Sequence, residues 1–325
     1  MSEERPTEIR DAAPTSIRHM IGQQSVVEQV AVALDAAFTD GTPMDSALMV
    51  GPPGCGKTLL AHIVAKEMAS DLHEVLGQTL KGPAELNALL LQAKDRDVVF
   101  VDEAHEVPRP IQTALYLALD QSRILLSNGK DGSSTAIPLA SFTLLLATTD
   151  EYGLLQPLRD RMKLNLRYGF YSSNELTELL LRATQRLGWK LDVDVVPMIA
   201  MRSRGTPRLG LRLLQSCRRV CRSEGEETIT VRHFDRACDL EQIDDLGLDT
   251  TERQYLEILA DGAFRLNVIA SVLGLPARTV SSVTESFLIR SGLIVKDDQS
   301  RRMLTAKGRE HLLKSSVATL GEKHD

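Results

Sequence analysis

Gly51-Pro52-Pro53-Gly54-Cys55-Gly56-Lys57-Thr58 stands directly behind the apolar run Ala47-Leu48-Met49-Val50. A buried strand that ends in such a loop and reopens as a helix is a device for holding polyphosphate. The glycines let the backbone wrap inward, so that successive N–H groups point at phosphate oxygens. A helix opening near Lys57 aims the positive end of its dipole at the same place. Lys57 then reaches the β- and γ-phosphates, and the Thr58 hydroxyl ligates Mg²⁺. The competing reading is a glycine-rich turn with no nucleotide, and the strand in front of the loop weighs against it.

Hydrolysis needs a metal carboxylate and a base for water. Both are offered by Val98-Val99-Phe100-Val101-Asp102-Glu103-Ala104-His105. The apolar residues read as a strand buried on both faces of a parallel sheet. Its end delivers Asp102 to the Mg²⁺ shell, with Glu103 beside it to polarise the attacking water. Two acids capping a strand is the blander alternative. His105 is read two ways, as a link from this site to nucleic acid or a neighbour and as a solvated loop histidine.

With 325 residues, 43% of them hydrophobic and 25% charged, the chain is long enough for two or three domains with separate cores. No run approaches the ~18 apolar residues of a membrane span. The N-terminus lacks the layout of a secretory signal, so a cytoplasmic address is expected. Four cysteines, one inside the phosphate loop, suit a reducing compartment. Cys217, Cys221, His233 and Cys238 invite a zinc reading. Cys217 and Cys221 lie one helical turn apart, however, and no Cys-x-x-Cys knuckle is present, so buried thiols are expected. A formal charge of −6 excludes a bulk polycation. Any DNA contact must come from a local patch, either the acid-free stretch from Arg202 to Arg222 or the pair Arg301-Arg302.

Helical periodicity begins at Gln24, and strands near 48–50, 74–76 and 98–101 then alternate with helices. That rhythm predicts an α/β domain, a parallel sheet covered on both faces. Residues 123–139 interrupt it as an inserted β-hairpin with a polar tip, a shape suited to gripping a partner and equally to a plain connection. Phe142–Thr149 is another buried strand with a polar end. Pro157-Leu158-Arg159-Asp160-Arg161 places two arginines past the sheet, far around the core from their own phosphates. From Ser172 the strands stop and an all-helical domain follows, with Ser203-Arg204-Gly205-Thr206-Pro207-Arg208 between two of its helices. Asp244–Asp249 reads as a linker. Three short helices and a hairpin at 293–305 then give a winged-helix layout, with Thr279, Ser281, Ser282 and Thr284 on its third helix.

Taken together, these motifs resemble the RuvB family of AAA+ ATPases, bacterial motors of Holliday-junction branch migration. The likeness runs over residues 5–313 through Ile21-Gly22-Gln23, Gly51–Thr58, Phe142–Thr149, Pro157–Arg161, Phe170-Tyr171, Ser203–Arg208 and Gly247-Leu248-Asp249. The resemblance implies a P-loop AAA+ domain at 1–171 carrying the 123–139 hairpin, a helical lid at 172–245 and a winged-helix domain at 246–325. It implies ATP and Mg²⁺ as ligands, held by Gly51, Pro52, Pro53, Gly54, Cys55, Gly56, Lys57, Thr58 and Leu59 with Ile21, Tyr171 and Arg208. Thr58 and Asp102 would serve the metal, Glu103 the water and Thr149 sensing, while Arg161 would reach a neighbour's site in a hexameric ring. The hairpin would dock on RuvA, and Arg301 and Arg302 on the wing would meet DNA.

Several positions depart from the family pattern. Ala13-Pro14 stands where an Arg-Pro pair is usual, and Glu106 follows His105 where an arginine is usual. The hairpin is short and polar, and the wing reads Ser300-Arg301-Arg302 in place of Arg-Gly-Arg. Two further functions stay open on the sequence. One is an AAA+ clamp-loader or remodeller acting on another DNA-bound partner; the other is a nucleotide-responsive winged-helix regulator, against which the Asp102-Glu103 pair counts.

Overall fold

The computed structural model describes residues 9–127 and 134–321. The chain divides into two compact units, one of residues up to Lys190 with Gly205–Gln215, the other of Leu191–Arg204 with the residues from Ser216 onward.

In the first unit the chain runs α1 (Gln24–Asp40), β1 (Ala47–Val50), α2 (Lys57–Glu67), β2 (Leu72–Leu76), α3 (Pro83–Gln92), β3 (Val98–Asp102), α4 (Arg109–Gln121), β4 (Arg123–Ser127), β5 (Ser134–Pro138), β6 (Thr143–Thr148), α5 (Gln156–Arg159), β7 (Leu164–Arg167) and α6 (Ser173–Leu187). Five strands form a sheet in the order β2-β3-β6-β1-β7, parallel at every pairing. The central strands β1, β3 and β6 are buried almost throughout, whereas the edge strands β2 and β7 are only partly so. Continuous apolar sequence is what a centre covered on both faces requires. Val99, Val101, Leu144 and Leu146 pack in one core with Ile111 and Leu115 of α4, each such side chain contributing about 1.5–3 kcal/mol. β7 escaped the sequence reading because two leucines alternating over four residues are too short a pattern to stand out.

Register decides where the chemistry sits. Val50 pairs with Thr148, Val101 with Leu146 and Leu76 with Asp102, so β1, β3 and β6 end at one edge with β6 in the middle. The inserted hairpin is present as an antiparallel β4–β5 ladder from Arg123↔Pro138 to Ser127↔Ser134. Of its expected polar tip, Ser127–Ser134, the residues 128–133 lie outside the described residues, and Ser127 and Ser134 belong to the strands. α6 opens on a reciprocal cap between Ser172 and Glu175 and closes at Gly188 in the left-handed region.

The second unit holds α7 (Val195–Arg202), the latter part of α8 (Pro207–Ser223), α9 (Val231–Glu241), α10 (Thr250–Ala260), α11 (Leu266–Leu273), α12 (Ala277–Thr279), α13 (Glu285–Arg290) and α14 (Ala306–Gly321), with a π turn at Val280–Thr284 between α12 and α13. The helices expected as a lid are thus shared between the two units. A small antiparallel sheet places Arg301–Leu304 between Phe264–Arg265 and Ile294–Lys296. Leu248, Tyr255, Leu256, Ile269, Val280, Leu288 and Leu304 form the core beneath it, the winged-helix arrangement. Among the described residues no single helix is long and apolar enough to cross a membrane.

Candidate nucleotide site

The loop after β1 can take its shape only with glycines. At Gly51 (φ +154°) an added Cβ would lie 2.5 Å from the Tyr168 carbonyl oxygen, and at Gly54 (φ +74°) it would lie 2.8 Å from Thr206 Cγ2 and 2.9 Å from Arg208 Cβ. The result is a backbone cradle at the first turn of α2. Lys57 is 7% exposed, and its Nζ donates to Gly51 O at 2.7 Å and Pro52 O at 2.9 Å. Burial holds its pKa below the usual lysine value, against the opposing pull of Glu103, Cys55 and Asp102. Those bonds keep the ammonium at the mouth of the loop, where phosphate oxygens would replace the carbonyls.

Although β6 lies between β1 and β3, the helix that follows β1 meets the end of β3 through a side chain. Thr58 Oγ1 donates to Asp102 Oδ2 at 3.2 Å. Asp102 Oδ1 in turn accepts the Glu103 N–H at 2.9 Å. Glu103 sits at φ +50°, an uncommon conformation for a non-glycine residue. The adjacent chain permits it because Gly77, just after β2, has no Cβ to strike the Glu103 carbonyl. Hydroxyl and carboxylate side by side make an oxygen-only donor set of the kind Mg²⁺ takes, so the residues fit the metal.

His105 belongs to the same edge. Its Nδ1 is 3.0 Å from Thr148 Oγ1 and 3.4 Å from Glu103 Oε2. The Thr148 hydroxyl already donates its proton to Asp150 O, so it accepts from His105, which places the imidazole hydrogen on Nδ1. Of the two readings of His105, the solvated loop residue is excluded by this partnership. Nothing in the sequence distinguishes Thr148 from Thr149, since the two are adjacent and chemically identical. The expected sensor Thr149 lies exposed just past β6, while Thr148 is fully buried.

A cavity of about 350 Å³ opens beside the cradle. Pro53, Gly54, Gly56–Leu59, Asp102 and Glu103 line it, together with Ile21, Tyr171, Arg208, Ala13 and Pro14. Tyr171 is 8% exposed with its hydroxyl 3.5 Å from Cys55 O, and burial pushes its pKa to about 12. The Ile21-Gly22-Gln23 stretch has a steric reason. A Cβ at Gly22 would meet the Tyr171 ring at 2.7 Å, and the Gln23 amide exchanges two hydrogen bonds with the Gly169 backbone at 2.8 and 3.0 Å. Where Ala13 offers no charge, α6 supplies two arginines to the lining, Arg182 and Arg186, the latter donating to Ala12 O at 2.9 Å. Arg161 is not among the lining residues. It pairs with Asp120 at 2.9 Å and lies over the Tyr116 ring, while Arg159 lies over Tyr152.

In the second unit one expectation needs correction. Arg302, expected at a DNA surface, is 8% exposed and bonded through Nε and Nη2 to Glu285 of α13, with Nη1 on Ser300 O at 2.7 Å. Tyr255 and Lys296 meet the same carboxylate at 3.0 and 3.2 Å. Burial alone would raise the Glu285 pKa, but Arg302, Lys296 and Tyr255 hold it below the usual value. A guanidinium so committed does not face a phosphate; it fastens the wing to the third helix. Arg301 is more open, paired with Asp297 at 2.8 Å. Thr279 and Ser282 are exposed and Thr284 is buried. The thiols of Cys217 and Cys238 are buried, and desolvation pushes them to about 12 and about 11.

Three family models cover the chain almost end to end. Residues 12–168 match the Holliday junction DNA helicase RuvB P-loop domain, 171–244 the RuvB AAA lid domain and 245–313 the RuvB C-terminal winged helix domain. The Holliday junction branch migration complex subunit RuvB of Kosmotoga olearia is 35% identical over 309 residues, covering 93% of this chain and 90% of that protein. Its counterpart from Nocardia farcinica is 38% identical over 305 residues, 92% and 85% of the two chains. Among solved structures, the Thermotoga maritima RuvB Holliday junction branch migration motor superposes with a TM-score of 0.80 at 33% identity, over 93% of this chain and 98% of that one. With its phosphate cradle, paired acids and winged helix in that order, this chain belongs to the RuvB family.

Proposed function

We propose that the chain is the ATP-hydrolysing subunit of a motor that drives branch migration of four-way DNA junctions in recombination and repair, working as a helicase in the cytoplasm. The observation that carries this reading is the Thr58–Asp102–Glu103 constellation at the mouth of a glycine cradle, in a chain whose relatives bear the branch-migration name. In this reading the domains divide at 1–171, 172–245 and 246–325.

Thr58 and Asp102 would hold Mg²⁺, whose charge offsets that of the phosphate oxygens. The loop N–H groups and Lys57 bind the triphosphate, and Ile21 and Tyr171 enclose the base. Glu103 takes the proton of the water that attacks the γ-phosphorus, and ADP leaves. Its carboxylate is oriented by His105, itself held by Thr148. Arg208, beside Gly54, reads the γ-phosphate in cis, and Thr149 at the strand end serves as the other sensor. Arg161 acts on the neighbouring subunit of a hexameric ring, supported by its position outside its own cavity. An arginine supplied in trans is worth about 10³–10⁵ in rate. The β4–β5 hairpin takes a RuvA-type junction-binding protein, and the winged helix tracks DNA through Arg301 and the exposed face of its third helix.

The test is ATP-dependent dissociation of a synthetic four-way junction, with and without a bacterial RuvA, beside linear duplex. Stimulated, hydrolysis-dependent processing of the junction is expected. Steady ATP hydrolysis with an untouched junction would overturn the reading in favour of a remodeller with another partner.

A further inference from the structure

Arg204 closes the first segment of the second unit, one residue ahead of the Gly205-Thr206-Pro207-Arg208 turn. Its φ is +53°, a conformation that persists in a non-glycine residue only where the surroundings enforce it. The enforcement comes from its own side chain, which is 17% exposed. Nε donates to Gly247 O at 2.6 Å, and Nη1 and Nη2 donate to the two oxygens of Glu252 at 2.7 and 2.5 Å. The guanidinium lies 4.6 Å from the centre of the Phe287 ring, and the Arg204 carbonyl accepts from Arg290 at 2.7 Å. One residue therefore joins the end of the α7 segment to the 244–249 stretch, α10 and α13.

Arg202 repeats the device on the other side. It donates to Asp244 O at 3.1 Å and Asp245 Oδ1 at 2.7 Å while lying 4.6 Å from the Phe234 ring centre. Asp244 accepts the N–H groups of Leu246 and Leu248 and pairs with His311 of α14 at 2.8 Å. Gly247 (φ +81°) is held so closely that a Cβ would come within 2.5 Å of Arg202 O. In sequence this stretch passes for a linker; in the structure it is a fastened joint.

We propose that Arg204 is a positioning residue that makes α7 and the winged helix move as one body, so that displacement of the Gly205–Arg208 turn during nucleotide turnover is delivered to the DNA-facing domain. What is delivered rests on the branch-migration reading; the fastening does not. Bidentate pairing on a buried carboxylate gives the rigidity that a lone lysine or a surface pair lacks.

The experiment uses the full chain with Arg204→Ala and, separately, Glu252→Gln. Glutamine at 252 keeps the α10 capping box while removing the charge, so that variant carries the test if Arg204→Ala does not fold. Hydrogen exchange of the 244–249 amides is expected to quicken about tenfold, ATP turnover to stay within about twofold, and junctions processed per ATP to fall about tenfold. A parallel fall of turnover and processing, or an unchanged ratio, would overturn the coupling role. Unchanged exchange would overturn the fastening. A wild-type chain that processes no junctions sinks the functional reading instead, and exchange alone then decides the joint.

Discussion

Gly77→Ala is the most exacting probe of the hydrolytic edge, because Gly77 itself does not line the nucleotide cavity. An ideal Cβ at Gly77 would overlap the Glu103 carbonyl oxygen, with the carbonyl carbon only 3.1 Å away and Val107 Cγ2 at 3.2 Å. The valine methyl can yield, but the carbonyl is backbone. Clearing it to normal contact needs a retreat of about 1 Å. Glu103 sits at φ +50° with its N–H on Asp102, so the shift is passed to its carboxylate. Misplacement of a catalytic group by about 1 Å costs on the order of 10²-fold in rate. Crowding costs about 1–3 kcal/mol of stability. The expected pattern is a kcat lowered about 10²-fold, measured by phosphate release, with affinity for a fluorescent ATP analogue within about twofold because the glycine loop and Lys57 are left in place. Normal turnover by a variant that melts like the wild type would refute the placement of Glu103 as the water's base.

Glu103→Gln should bind ATP and lose about 10²–10⁴ in turnover, and titrating it with Arg161→Ala subunits should restore part of the activity. Zero activity at every ratio, in rings shown to be mixed, would remove Arg161 from the neighbour's site. Arg302→Ala leaves Glu285 buried with one cation fewer, a loss of about 3–5 kcal/mol that melting of the winged helix should report; weaker DNA binding with an unchanged melt would contradict the assignment. Burial alone would raise Asp244, but the His311 bond and the Leu248 and Leu246 N–H groups set it below 3.8. Its folded value being the lower one, Asp244 contributes stability that is complete above 3.8 and lost as pH falls through the folded value. Asp244→Asn should flatten that part of the acid-unfolding profile, and an identical profile would disprove the linkage.

Much of this was legible in the chain because the deciding features are local. A strand, loop and helix in succession are read from contiguous residues, and Gly51–Thr58 and Asp102-Glu103 declare their geometry without help from the rest. What was not legible depends on pairing at a distance. Arg302 looks like a surface cation until Glu285 is found opposite, and a charge pattern carries no sign of which guanidinium is covered. Asp244–Asp249 has a linker's composition, and only Arg202, Arg204 and His311 arriving from elsewhere make it rigid. Thr148 and Thr149 are neighbours of identical chemistry whose difference is where the strand stops: Thr148 ends β6 and is buried, Thr149 lies just past it and is exposed. Arg182 and Arg186 became part of the cavity only through the path of α6.

Gly54 is commonly regarded as a concession to phosphate. Here its missing side chain also leaves the volume taken by Thr206 and Arg208, far downstream. The loop is therefore not an autonomous cassette. Transplanted into a scaffold without the helix that carries Arg208 in its first turn, it would carry a glycine stripped of one of its two reasons. Conversely, that turn cannot be redesigned without consulting the loop. A short signature can thus be partly an imprint of a neighbour that arrives much later in the chain.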